Sequence, residues 1–194
     1  MKQEIEIEFK NIVTKEDFLK LLSHFSVKES DFKKQKNYYF DTENFQIKAS
    51  GSALRIREKQ NKYTLTLKQP HKVGLLETHQ ELTYEEANRS FNGEALPKGA
   101  IATQLYTSFQ IDLSKCKYLG SLITNRAEIS YHGGTLVFDH SIYLGVEDFE
   151  IEYEVTDEEI GKEIFSELFI NLQIPIKKTE NKIKRFFLRK AECK

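Results

Sequence analysis

At 194 residues the chain is long enough for one large domain or two small ones. With 39% hydrophobic and 30% charged residues it reads as globular, and its net charge of −1 gives no overall attraction to nucleic acid or an anionic membrane. Cys116 and Cys193 have neither metal-ligand spacing nor a disulfide framework, and no apolar run is long enough to span a membrane. With no leader ahead of the charged opening stretch, the expectation is one cytoplasmic domain over 1–194 with reduced thiols.

Glu4 to Lys10 alternates charged and apolar residues, the period of a strand. Glu4, Glu6, Glu8 and Lys10 share one face; Ile5, Ile7 and Phe9 take the other. Thr14 with Asp17 three residues on opens a helix whose apolar residues are Phe18, Leu19, Leu21, Leu22 and Phe25. Lys33 to Lys36 reads as a basic loop, and Asn37 to Thr42 as a strand. Ala49 to Ser52 is a turn. Ala53–Lys59 and Tyr63–Lys68 then alternate strictly around a turn at Gln60-Asn61-Lys62, which makes a β-hairpin. A loop at Gln60-Asn61 pairs Arg57 with Thr64, whereas one at Asn61-Lys62 pairs Arg55 with Lys68. Either way Arg55, Arg57, Thr64, Thr66 and Lys68 share a face.

After a loop at Pro70 to Gly74, Leu75 to Leu82 forms a strand with Glu77, His79 and Glu81 on one side. Thr83 and Glu86 make a capping box for a short helix ending at Asn92-Gly93, and Pro97 opens another with Ile101, Leu105, Tyr106 and Phe109. Leu122 to Leu144 is a hairpin about Gly133-Gly134, a turn that pairs Glu128 with Asp139 and Arg126 with Ser141. A bend at Gly145 leads to Phe149–Val155, where Glu150, Glu152 and Glu154 repeat the opening pattern. Thr156 with Glu159 caps a long helix striped by Ile160, Ile164, Phe165, Leu168 and Phe169. Pro175 ends that region, and Thr179 to Lys190 is a basic helical tail with Ile183, Phe186, Phe187 and Leu188.

Hairpin-linked strands imply an antiparallel sheet in an α+β fold. Nearly every strand has one charged face. Such a sheet can pack its apolar side on helices and show charge to water. It can also close into a barrel with a charged interior and the helices packed outside. Carboxylates at every second position suit a hard divalent cation with oxygen ligands, Mg²⁺ or Mn²⁺. Arg and Lys suit phosphate. A cation and a phosphate chain together allow both signs of charge in one cavity.

These residues resemble the CYTH family, the triphosphate tunnel metalloenzymes. Its Glu-x-Glu-x-Lys signature stands as Glu6-Ile7-Glu8-Phe9-Lys10. Tyr39-Phe40-Asp41-Thr42, Leu54-Arg55-Ile56-Arg57, Thr66-Leu67-Lys68, Arg126, Phe138-Asp139 with Tyr143, and Phe149-Glu150-Ile151-Glu152 follow in the family's order, from about Glu4 to about Arg185. The resemblance implies an eight-stranded antiparallel β-barrel forming a tunnel, acting on a small-molecule triphosphate substrate with Mg²⁺ or Mn²⁺; the sequence leaves open whether the chain is a monomer or homodimer. It implies that Glu6, Glu8, Glu150 and Glu152 hold metal or orient water, with Asp139 a further acidic residue near the metal. Lys10, Arg55, Arg57, Lys68, Arg126 and Lys182 would hold the triphosphate. Glu77, His79 and Glu128 would line the cavity; Glu4 has no assigned role. Two departures stand out: Leu75-Leu76-Glu77-Thr78-His79 where many members have Arg-x-Glu-x-Glu, and Asn181 where a serine usually precedes the late lysine. The activities implied are triphosphate hydrolysis, adenylate cyclisation or thiamine triphosphate hydrolysis; a module that binds polyphosphate or nucleotide without turnover is the other class. His24, His71, His132 and His140 read as surface residues, and Cys116 as a buried or loop thiol.

Overall fold

The computed structural model describes residues 2–192, so Cys193 lies outside the described residues. Eight strands close into an antiparallel barrel in the order β1-β5-β4-β3-β2-β6-β7-β8. They are β1 (Lys2–Val13), β2 (Lys33–Thr42), β3 (Ala53–Lys59), β4 (Lys62–Pro70), β5 (Leu75–Leu82), β6 (Cys116–Tyr131), β7 (Gly134–Tyr143) and β8 (Val146–Val155). Six α-helices accompany them among the described residues: α1 (Lys15–His24), α2 (Gln46–Ala49), α3 (Tyr84–Phe91), α4 (Ala100–Phe109), α5 (Glu158–Asn171) and α6 (Lys182–Glu192). The expected α+β barrel is therefore the observed fold.

The chain divides into two compact units. One holds Gln35–Ser121 with the first residues up to Ile5; the other holds Glu6–Lys34 and Leu122–Lys194. In the first unit β3 and β4 turn on Gln60 and Asn61, both with positive φ, and Arg57 lies opposite Thr64 and Arg55 opposite Thr66. On the other face Leu54, Ile56, Leu65 and Leu67 are fully buried and pack with Ile101 and Leu105 of α4. β2 pairs with β3 as far as Gln35 opposite Lys59, so Lys33 to Lys36 is strand and not loop. The long β3 arm extends the ladder past the apolar residues, and Gln35 is buried there. The Asp41 carboxylate accepts from the backbone N–H of Thr42 at 2.7 Å, Ile47 at 2.9 Å and Lys48 at 3.0 Å, building α2 before the expected turn. The helix expected to open at Pro97 begins at Ala100, after Gly99 as its N-cap.

In the second unit Thr14 caps α1 as its spacing predicts, accepting from Asp17 N. The β6–β7 hairpin differs from expectation. It turns on His132 and Gly133, at φ of 42° and 82°, and Gly134 begins β7. Two positive φ values are what a twisted two-residue hairpin requires. Arg126 therefore faces Asp139 directly, and Glu128 faces Val137. The register moves by two residues, so every side chain keeps its predicted face. Packing selects the turn: a Cβ on Gly134 would lie 2.6 Å from the Glu154 carbonyl oxygen and 2.7 Å from the Tyr153 ring. β7 and β8 are joined tightly, Tyr143 opposite Val146.

The cap of α5 is Asp157, which accepts from Ile160 N, and not Thr156. The later start rotates Ile160 out to solvent and leaves Gly161, Phe165, Leu168 and Phe169 on the buried side. These pack on Ile151 and Tyr153 of β8 and on Phe138. Phe186 is the buried anchor of α6, while Leu188 is exposed. Gly134→Ala should destabilise the chain by about 1–3 kcal/mol in urea unfolding, the usual cost of overpacking. Unchanged stability would mean that Tyr153 does not press on β7 as described.

Candidate active site

β8 is buried on both faces: Ile151 and Tyr153 on one, Glu150 and Glu152 on the other. Two ionised carboxylates cannot leave water unless something pairs with them. Asp139 of β7, opposite Glu150 in the ladder, adds a third, and one oxygen from each of Asp139, Glu150 and Glu152 lies within 4.8 Å of the others.

Three cations meet this trio. The Arg126 guanidinium donates to both Asp139 oxygens, from Nε at 2.7 Å and Nη2 at 2.6 Å, and from Nη2 to Glu152 at 2.5 Å. The fork fits because the hairpin register sets Arg126 opposite Asp139. Lys182 of α6 inserts its ammonium among all three, 2.8 Å from Asp139 Oδ2 and in contact with Glu150 and Glu152. Arg185, one turn further along α6, donates to Asp148 at 2.9 Å and to Glu150 at 2.6 Å.

The tail that brings these cations is tied down by polar groups. Buried Asn11 donates from its amide to Pro175 O at 3.1 Å and accepts from Lys177 N at 2.9 Å. The Ile12 N–H donates to Thr179 Oγ1 at 2.8 Å.

Burial pushes the Glu150 carboxyl up, to about 7, because taking the charged form out of water outweighs the pull of Lys182. Burial acts on Glu152 in the same direction, but Lys182 and Arg126 hold it well below the ordinary carboxylate range. Asp139 is likewise lowered against its burial by Arg126 and Lys182. Lys182 and Arg126 are held charged: burial opposes their charge, and it is overruled by Asp139, Glu150 and Glu152 at Lys182 and by Asp139, Glu152 and Glu154 at Arg126. The pair on β8 thus tends to share one proton.

Lys10 of β1 lies opposite Glu152 in the β1–β8 ladder, and its ammonium pairs with Glu8, which itself lies opposite Glu154. Glu6 lies beyond Ile7, where that ladder begins. The structure brings Asp139, Glu150, Glu152, Arg126 and Lys182 together; Glu6 and Glu8 are not members of the acidic trio. Glu128 is exposed, beside the half-exposed Glu154.

The first unit holds a separate polar cluster. Lys68 pairs with buried Glu77, its partner across the β4–β5 ladder, and Arg55 Nη2 lies 4.0 Å from the same oxygen. Arg57 Nε donates to buried Asn37 at 3.0 Å, directly opposite on β2. His79 stands between Glu77 and Glu4, with Nε2 3.3 Å and 3.1 Å away. The Cys116 thiol is buried, and burial pushes it up to about 12, so it is no nucleophile at neutral pH.

Arg185, Asn11 and Glu4 had no assigned role in the sequence. Arg185 has one signal, a basic residue three positions after Lys182 and so on the same helix face. Asn11, directly after the Glu-x-Glu-x-Lys run, shows none.

The strands form a closed antiparallel barrel, and the second unit carries the acidic trio on its strand faces. The chain belongs to the CYTH domain family, whose profile matches residues 4–187. It is 48% identical over 192 residues, 99% of each chain, to the Bacillus subtilis (strain 168) protein named "Putative triphosphatase YjbK". A solved structure from Bacillus halodurans, described as a "putative adenylate cyclase", matches with a TM-score of 0.91 at 49% identity, over 96% of this chain and 100% of that one. A Hippeastrum protein described as a "putative adenylyl cyclase" with dominant triphosphatase activity shares the fold at TM-score 0.78 and 24% identity, over 94% and 95% of the two chains. Among the described residues no helix is long and apolar enough to cross a membrane.

Two outcomes follow from the trio. Lys182→Met leaves buried carboxylates short of a cation and should cost about 3–5 kcal/mol in EDTA. Mn²⁺ should raise the variant's Tm more than the parent's, by differential binding to the folded state. Glu150 is protonated below its raised value and must lose that proton to ligate a cation. Mn²⁺ uptake at about pH 6 should therefore release more protons than at about pH 8, and affinity should climb with pH and then level off. Calorimetry in two buffers of different ionisation enthalpy reads this; equal release at both pH values would contradict it.

Proposed function

We propose that the chain hydrolyses a triphosphate, inorganic triphosphate or a nucleoside triphosphate, with Mg²⁺ or Mn²⁺. The observation that carries this reading is the buried trio Asp139, Glu150 and Glu152, held by Lys182 and Arg126. Its donors are all carboxylate oxygens, which fit a hard divalent cation and would not fit a soft one. When bound, that ion supplies neutralisation of the charge that builds on phosphate oxygens during transfer.

The chain's own residues do the rest. Arg55, Arg57, Lys68 and Lys10 grip phosphate oxygens and fix the chain in line. Arg126 keeps Asp139 and Glu152 ionised and oriented. Lys182, which pairs with the three carboxylates, would also offer its ammonium to a phosphate oxygen. Glu6 and Glu8 orient the attacking water, and one of these carboxylates takes its proton as the oxygen bonds to the terminal phosphorus. The bond from that phosphorus to the bridging oxygen then breaks. The Bacillus subtilis relative named as a triphosphatase supports this reading.

The second reading is adenylate cyclisation, favoured by the description of the Bacillus halodurans structure. There the 3′-hydroxyl of ATP attacks and pyrophosphate leaves. The chain is incubated with inorganic triphosphate, ATP and thiamine triphosphate, each with Mg²⁺, Mn²⁺ or EDTA, and the products are identified. Orthophosphate release that EDTA abolishes is the expected result. Cyclic AMP with pyrophosphate would replace the first reading by the second, and absence of any product would remove both. Lys68→Ala and Glu152→Gln should each lower kcat/KM by about 10²–10³-fold with unchanged circular dichroism. Full activity in both would overturn the residue roles.

A further inference from the structure

Glu4, Glu77 and His79 form a second group whose ligand atoms lie within 4.8 Å of one another, and it differs in kind from the trio on β7 and β8 because it contains an imidazole. His79 and Glu77 are two residues apart on β5 and so share a face, while Glu4 comes from β1. The inner oxygens converge on one atom. Glu4 Oε1 lies 3.1 Å and Glu77 Oε2 3.3 Å from His79 Nε2.

The outer atoms are already committed. Lys2 holds Glu4 Oε2 at 2.6 Å, and Lys68 holds Glu77 Oε1. Thr66, opposite His79 in the ladder, places its hydroxyl 3.1 Å from Nδ1. An imidazole whose far nitrogen meets a hydroxyl, facing buried Glu77 backed by Lys68 and half-exposed Glu4 paired with Lys2, has the kind of supporting shell that orients metal ligands. Without a metal, Nε2–H donates to the carboxylates and Nδ1 accepts from the Thr66 hydroxyl; a cation would take the place of that Nε2 hydrogen between the two anionic oxygens, with Nδ1–H then donating to Thr66.

Access is provided. A cavity of about 780 Å³ is lined by Lys2, Glu4, Thr64, His79, Gln80 and Glu81. An ion entering there would meet His79 and Glu4 first, with buried Glu77 behind, and the cavity has room for the waters that complete its coordination.

We propose that Glu4, Glu77 and His79 form a second cation site that takes a transition-metal divalent ion of the Co²⁺ or Zn²⁺ type in preference to Mg²⁺. One nitrogen and two carboxylate donors suit such borderline ions, whereas Mg²⁺ keeps to oxygen and retains its waters. The site stands on the geometry of β4, β5 and the start of β1 and does not depend on the triphosphatase reading.

The test uses the full chain and Co²⁺ as probe, in excess Mg²⁺ to fill the all-oxygen trio. Visible absorption and equilibrium dialysis should show about one Co²⁺ equivalent bound despite the Mg²⁺, with a nitrogen-ligated spectrum. Nuclear magnetic resonance of the His79 ring should be perturbed by the same equivalent. His79→Gln should abolish this binding, and Glu4→Gln should weaken it about tenfold. Glu4 is half exposed, so its variant keeps the fold and decides the matter if His79→Gln does not fold. No Co²⁺ bound in excess Mg²⁺, or binding that Glu4→Gln and His79→Gln leave unchanged, would overturn the site whether or not the chain hydrolyses any triphosphate.

Discussion

The second unit depends on keeping Glu150 and Glu152 out of water. β8 has no solvated face: Ile151 and Tyr153 need an apolar partner and find α5, while the two glutamates need cations and find them on two other elements. A buried carboxylate without a partner is among the most costly errors a fold can hold. That requirement explains features otherwise unrelated. The hairpin must place Arg126 opposite Asp139, the tail must return to β8, and α6 must present Lys182 and Arg185 on one side. Asn11 and Thr179 then serve as the ties that make the return definite.

Side-chain parity was the most legible property of the chain. The charged faces of β1, β3, β4, β5, β6 and β8 all follow from alternation, and the Gln60-Asn61 turn and the Thr14 and Thr83 caps are local signals that local chemistry decides. Parity does not say how far along a partner a residue lies. Gly133-Gly134 and His132-Gly133 are both acceptable hairpin turns by local rules. The choice rests on the Tyr153 ring lying over Gly134, a contact between residues distant in sequence. The same limit applies to β1, where the Glu-x-Glu-x-Lys run shares the face of Glu150 and Glu152 but is offset, so that Lys10 and not Glu8 faces Glu152. The helix α2 was not visible because Asp41 builds it from a distance of six residues, where propensity has little to say. Glu4 showed no role because its partner His79 is 75 residues away.

The two acidic groups illustrate how similar raw material diverges. Asp139, Glu150 and Glu152 are fully enclosed, so their protonation is set by neighbours, two pulled down and one pushed up. Glu4 and His79 border an open cavity, and Glu77 alone is deeply buried. A closed oxygen cluster favours hard ions and links their uptake to protons. An open cluster with one imidazole favours borderline ions and exchange with solvent.

The order of the ion network along the chain has a consequence for synthesis. β6, β7 and β8 precede α6, so the three carboxylates leave the ribosome well before Lys182 and Arg185. Domains generally fold as units during synthesis. Until residue 182 is available, β8 cannot bury Glu150 and Glu152 as ions with their full set of partners. The nascent barrel must wait with that strand hydrated, take up a proton, or borrow an external cation. The last helix thus acts as a timing element, completing the charge balance that lets the preceding strands close.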